Sequence, residues 1–200
     1  MARGASDVPD PTTPDASPGR EPTDPVDPHL LTALVAAIGR VDDPAALDAT
    51  CSACAVALGV DGVAVTVLGP TPEQTVVAAN DQPGKQLKAV ELAAGQGPCI
   101  DAARTATTVS TPDLSELADD RWPVLARQLG TSPVRAVVAV PLTTAETTLG
   151  SLNLYSRKVG GLDRLPPTGL QLIAQAMTET VVRLRPSDLL SSLSGQPTSA

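Results

Sequence analysis

The segment GVAVTVLG (62–69) constrains the chain more than any other stretch. Its alternation sets Val63, Val65 and Val67 against Ala64, Thr66 and Leu68, so both faces of the strand it forms are largely apolar. Such a strand cannot sit in a sheet with one wet face; it needs cover on both sides. PTPE turns the chain, and TVVAA (75–79) returns as a hairpin partner. TTVST (107–111) reads as a short strand, and VRAVVAVPLT (134–143) pairs with TLGSLNLYSR (148–157) across the polar turn TAET.

Helices supply the cover. After Pro28, residues Leu30, Leu31, Leu34, Val35, Ile38 and Val41 recur at helical spacing. Asp43 and Pro44 start a second helix that ends at Gly59 with the stripe Leu47, Cys51, Cys54 and Leu58. A third, from about Pro166 to Leu184, carries Leu170, Ile173, Met177, Val181 and Leu184. These three can cover one face. The other is left to residues 80–130, with short helices near Gln86–Ala93, from Pro98 to about Thr105, and in DRWPVLARQLG up to Gly130. A cover of loops and short helices leaves a cavity, which is where a small molecule sits.

The expectation is one α+β domain over residues 29–185, between two tails. Residues 1–28 hold seven prolines and six acids against two bases, so this acidic segment is expected to be disordered, solvating the domain or docking a partner. Residues 186–200, rich in Ser, Gly and Pro, read as a flexible tail, although Leu189, Leu190 and Leu193 extend apolar character into it.

A net charge of −8, with Trp122 and Tyr155 the only large aromatics, argues against direct nucleic-acid binding. No apolar run is long enough to span a membrane, and the N-terminus lacks the apolar core of a secretory signal. Three cysteines make no disulfide framework. A cytoplasmic location is expected, and nothing in the sequence requires a cofactor or a metal.

Residues 95–106, GQGPCIDAARTA, gather two glycines, a proline and a cysteine where a helix begins. This stretch, followed by TVSTPDL, DDRWPVLA, VRAVVAVPL and TTLGSLNLYS in that order, resembles a GAF domain over residues 30–184. The likeness is to the bacterial GAF domains fused to an RNA-binding ANTAR module. It implies α/β/α layers: an antiparallel sheet of five to six strands, terminal helices on one face, and a ligand pocket under short helices on the other. It also implies a sensory or regulatory role and a homodimer through the terminal helices. ANTAR modules are basic and helical, whereas RPSDLLSSLSGQPTSA follows Leu184, so output is expected through a separate regulatory protein or through dimer contacts.

The candidate ligand-binding residues are Gly97, Cys99, Asp101, Arg121, Trp122, Asn153 and Tyr155. Cys99 falls in a first helical turn, where a thiolate or an anion is favoured, yet Asp101 occupies the same positive end. Packing, ligand contact and redox reactivity all remain open for it. Cys51 and Cys54 form a Cys-x-x-Cys, but no second pair exists and both continue an apolar stripe, so core packing is expected. Trp122 closes a lid or caps the core; Arg121 and Arg104 pair with an anionic ligand or with Asp101, Asp119 or Asp120. Ser151, Asn153 and Tyr155 share one strand face, opposite Leu152 and Leu154.

A non-catalytic sensor is the expected function, with a dimerisation scaffold whose pocket has collapsed as the alternative. The free methionine sulfoxide reductases share this fold and also carry three cysteines, but no second thiol is expected near Cys99 to resolve a disulfide.

Overall fold

A computed structural model describes residues 26–68, 74–117, 121–129, 132–187 and 189. The expected disorder of the N-terminal tail and the readings of Leu190, Leu193, Gly130, Asp119 and Asp120 lie outside these residues, apart from Val26, Asp27 and Pro28. Val26 is buried, and the Asp27 carboxylate caps the first helix through the N–H of His29.

Three layers form as the two-faced strands require. The helices α1 (Pro28–Ile38), α2 (Leu47–Leu58, entered by a 3₁₀ turn at Pro44–Ala46), α3 (Gln82–Ala94), α4 (Pro98–Thr105), α5 (Pro123–Leu129) and α6 (Pro167–Leu184) surround one sheet. The strands are β1 (Gly62–Leu68), β2 (Gln74–Ala79), β3 (Val109–Thr111), β4 (Ala136–Thr143) and β5 (Thr148–Ser156), all antiparallel in the order β2-β1-β5-β4-β3.

Register sorts the side chains. β1 pairs with β5 so that Ala64 faces Asn153 and Thr66 faces Ser151. Val63, Val65, Val67, Leu152 and Leu154 therefore enter the back core with α1, α2 and α6. Val109, Val137, Ala139 and Tyr155 enter the front core with Leu87, Leu125 and Trp122. In the back layer, the Thr180 hydroxyl donates to the Ile38 carbonyl (2.9 Å) and Arg183 to the Val41 carbonyl (2.8 Å), so α6 satisfies the open end of α1. Leu189, placed by sequence in the flexible tail, is 3% exposed and packs into this core.

One front helix departs from expectation. α3 begins at Gln82 rather than near Gln86, because the Asp81 carboxylate accepts the Gly84 N–H (2.9 Å) and Pro83 fits the first turn. No described helix is long and apolar enough to cross a membrane.

Candidate functional site

The Gly-x-Gly-Pro-Cys stretch joins α3 to α4 at close quarters. Gly95 ends α3 in the left-handed region (φ +61°), and Gly97 precedes α4 at φ +139°, a conformation few side-chain-bearing residues adopt. Gly97 offers no side chain to cap α4. The cap comes from α3: Glu91 Oε1 accepts the Cys99 N–H at 3.1 Å. A Cβ on Gly97 would lie 2.5 Å from that same oxygen. The glycine is thus required twice, for its backbone angle and for the room it leaves Glu91.

Glu91 anchors a polar chain through the front core. Its other oxygen pairs with the ammonium of Lys88, one turn earlier on α3. Lys88 also reaches Asn153 Oδ1 at 3.4 Å, and Asn153 Nδ2 donates to Ser151 Oγ and to the Ser151 carbonyl, both at 3.1 Å. Ser151 Oγ lies 2.8 Å from Thr66 Oγ1 on the neighbouring strand. Lys88, Glu91, Asn153, Ser151 and Thr66 are all fully buried. The space expected to be hollow beneath the front helices holds, among the described residues, this polar cluster.

Sequence reasoning did not single out Lys88 and Glu91. Once α3 is extended back to Gln82, its buried face reads Gly84, Leu87, Lys88, Glu91. Two charges then fall at core positions of an amphipathic helix, and that was the available signal.

The expected site residues lie in the front layer, in three groups. Gly97, Cys99 and Asn153 belong to the cluster just described. Asp101, Arg121 and Trp122 form a second: Trp122 is 2% exposed, its Nε1 donates to Asp101 Oδ2 (3.0 Å), and the Arg121 guanidinium stands 4.3 Å over its ring. Arg104 and Arg121 both pair with Asp101, at 2.8 and 3.9 Å. Asp101 thus holds the α5 segment to α4, while Glu91 meets the helix end that sequence reasoning gave to Asp101. Tyr155 stands alone, its ring filling space left by Gly62 and Gly84. Its hydroxyl has no hydrogen-bond partner among the described residues; burial, then the nearby Asp81 carboxylate, pushes its ionisation up.

All three cysteines are buried and outside any disulfide, with Cys51 and Cys54 in the back core and Cys99 in front of the sheet. Burial raises the Cys99 thiol well above its ordinary range, and the Glu91 carboxylate raises it further. Burial also lifts Cys51 strongly and pushes Cys54 up to about 12. No group of metal-ligating side chains occurs among the described residues.

Fold and site together define a three-layer α/β/α domain with a buried cluster of polar side chains under its front helices. The chain belongs to the GAF family, whose domain model matches residues 44–183. No curated protein matches it. Among solved structures it is similar to the GAF domain of Acinetobacter phosphoenolpyruvate-protein phosphotransferase, at 14% identity and TM-score 0.60, covering 86% of this chain and 96% of that one. It is also similar to free methionine-R-sulfoxide reductase from Neisseria meningitidis (16%, TM-score 0.56, 82% and 89% covered). The cyanobacteriochrome TePixJ GAF domain matches as well (18%, TM-score 0.53, 77% and 95% covered). At these identities the likeness concerns the fold.

Proposed function

We propose that this chain is a non-catalytic sensory or regulatory GAF domain of cytoplasmic signalling, with the cluster beneath α3 and α4 as its ligand-responsive site. One observation carries the reading. A lysine, a glutamate, an asparagine and two hydroxyls are fully buried where well-packed apolar side chains would be as stable or more so. Polar groups held at such cost suit recognition of a small molecule better than packing. Thermal-shift screening of the full chain against nucleotides, amino acids and organic acids tests it. A specific ligand raises the melting temperature by mass action, and the effect disappears in Lys88→Met. A panel without any such shift would count against the reading.

The inaccessible thiols support the absence of catalysis. Cys99 lies in front of the sheet and Cys51 and Cys54 behind it, so a resolving thiol has no direct path to Cys99. Thioredoxin-dependent loss of free methionine sulfoxide that Cys99→Ser abolishes would reverse this assignment.

A scaffold reading draws on different observations. The polar cluster is closed, and the back layer leaves Leu172 and Val182 of α6 half exposed and Val56 of α2 largely so. Those side chains suit a homodimer through the terminal helices, with output passed to a separate regulatory protein. Light scattering is expected to give twice the chain mass, reduced to one by Leu172→Glu with Val182→Glu. A monomer at micromolar concentration removes the dimer from both readings.

A further inference from the structure

The front cluster has the make-up of an anion site that already holds an anion. The Cys99 N–H at the start of α4 and the buried ammonium of Lys88 converge on one point. Asn153, backed by Ser151 and Thr66, stands behind the ammonium. What occupies that point is the Glu91 carboxylate, one oxygen on the N–H and the other on Lys88. The recess for it is built: where Gly97 lacks a Cβ, the carboxylate fills the space. Resting on the sensory reading above, we propose that this site takes a small monocarboxylate and that Glu91 is its built-in occupant, holding the front layer closed until an incoming carboxylate replaces it on Lys88 and Cys99.

The charge count selects the ligand class. Lys88 is the one cation among the described residues that is fully buried in this layer, so the site balances a single negative charge. A dianionic phosphate would leave a buried charge unmatched, which is strongly unfavourable. Arg104 and Arg121 are exposed and engaged with Asp101, so they do not supply the second positive charge.

Opening parts both packing and hydrogen bonds. The covering segment buries Trp122 and Leu125 against Leu87, and is tied to the α3–α4 link by the Val124 N–H on Gln96 Oε1 (3.1 Å) and to α4 by Trp122 on Asp101. A groove of about 350 Å³ between α3 and α5 reaches Leu87 and Val90, which neighbour Lys88 and Glu91 along the helix. When α5 lifts, Glu91 can turn toward this groove and water, while Lys88 keeps a carboxylate partner.

Chemical rescue of a vacated site is the test. Full-length Glu91→Ala is titrated with sodium formate and sodium acetate, against sodium chloride at equal ionic strength, with unfolding followed by circular dichroism. Formate or acetate is expected to raise the folded-to-unfolded ratio saturably, about tenfold at ~10 times its dissociation constant, while chloride does not. The wild-type chain is expected to need more formate or acetate than Glu91→Ala for the same gain over chloride, because Glu91 competes for Lys88 and the Cys99 N–H. Adding Lys88→Met to Glu91→Ala is expected to abolish the rescue. If Glu91→Ala is unfolded in plain buffer, formate or acetate is expected to restore its native spectrum. Rescue by chloride equal to that by carboxylates, rescue that survives Lys88→Met, or an unfolded variant that carboxylates do not restore would each overturn the proposal. The two failures are distinguishable. A wild-type ligand beside an unrescued Glu91→Ala overturns this inference alone. Carboxylate rescue beside a wild type that answers no ligand shows a recess that Glu91 never leaves, and overturns the sensor and the replacement of Glu91 together.

Discussion

The Glu91 carboxylate accepts the Cys99 N–H at 3.1 Å, so one helix of the front layer is capped by a side chain of the helix before it. The Gly-Gln-Gly link is built around that contact. The two glycines flanking Gln96 should therefore respond differently to substitution. Gly95→Ala meets nothing within 4 Å and carries only the left-handed backbone cost, about 1 kcal/mol. Gly97→Ala adds a 2.5 Å collision with Glu91 to an unfavourable φ of +139°, and is expected to cost about 3 kcal/mol. Urea unfolding of both variants measures the difference; equal losses would mean that Glu91 does not depend on the space at Gly97.

The Lys88–Glu91 pair makes an asymmetric prediction. Removing either partner alone, as in Lys88→Met or Glu91→Leu, leaves a charge buried without its counter-ion and is expected to cost about 3–5 kcal/mol. The double variant Lys88→Met/Glu91→Leu should be no worse than either single one, since it removes both charges together. A double-mutant cycle by urea denaturation gives the coupling directly. Additive losses would show that the two groups do not act as a pair.

Most of the layer order was legible because Val63, Val65 and Val67 on one face and Ala64 and Thr66 on the other demand two covers, and the chain holds two sets of helices to provide them. The position of Cys99 in a first helical turn was legible from Gly97 and Pro98. The role of Glu91 was not. It depends on α3 starting at Gln82, which depends on Asp81 acting as a cap inside a stretch that reads as a polar loop. The pairing of Lys88 with Asn153 spans 65 positions and follows from how α3 docks on the sheet, which periodicity alone does not supply. Leu189 was likewise hidden, because a leucine in a Ser- and Pro-rich tail carries no local sign that it packs into the back core.

Trp122 reports on the front layer. It is the only tryptophan in the chain, it is 2% exposed, and its indole N–H is committed to Asp101. Native emission is expected to be blue-shifted and to move red on unfolding. Asp101→Leu leaves that buried N–H without an acceptor, for a loss of about 1–3 kcal/mol, whereas Asp101→Asn keeps an acceptor and should lose less. Fluorescence-detected urea titrations of the two variants separate the outcomes; a more stable Asp101→Leu would mean that the indole finds another partner.

The thiols give the alkaline side of the stability profile. In the folded chain burial keeps all three protonated, with Cys54 pushed up to about 12 and Cys51 and Cys99 raised strongly as well. In the unfolded chain each ionises near pH ~8.5. Above that pH the unfolded state binds fewer protons than the folded one, so the stability of the native state falls as pH rises. Each thiol contributes a slope of about 1.4 kcal/mol per pH unit through this window, fully present below pH ~8.5 and lost on the way to the folded-state values. Stability measured by urea at pH 8, 9 and 10 should therefore decline, and Cys54→Ala should flatten the decline by about one thiol's share. Ellman's reagent at pH 8 should find no reactive thiol before denaturant is added. Prompt labelling of Cys99 in the native chain would instead show the front layer opening on the time scale of the assay, and would return a redox role for that residue to consideration.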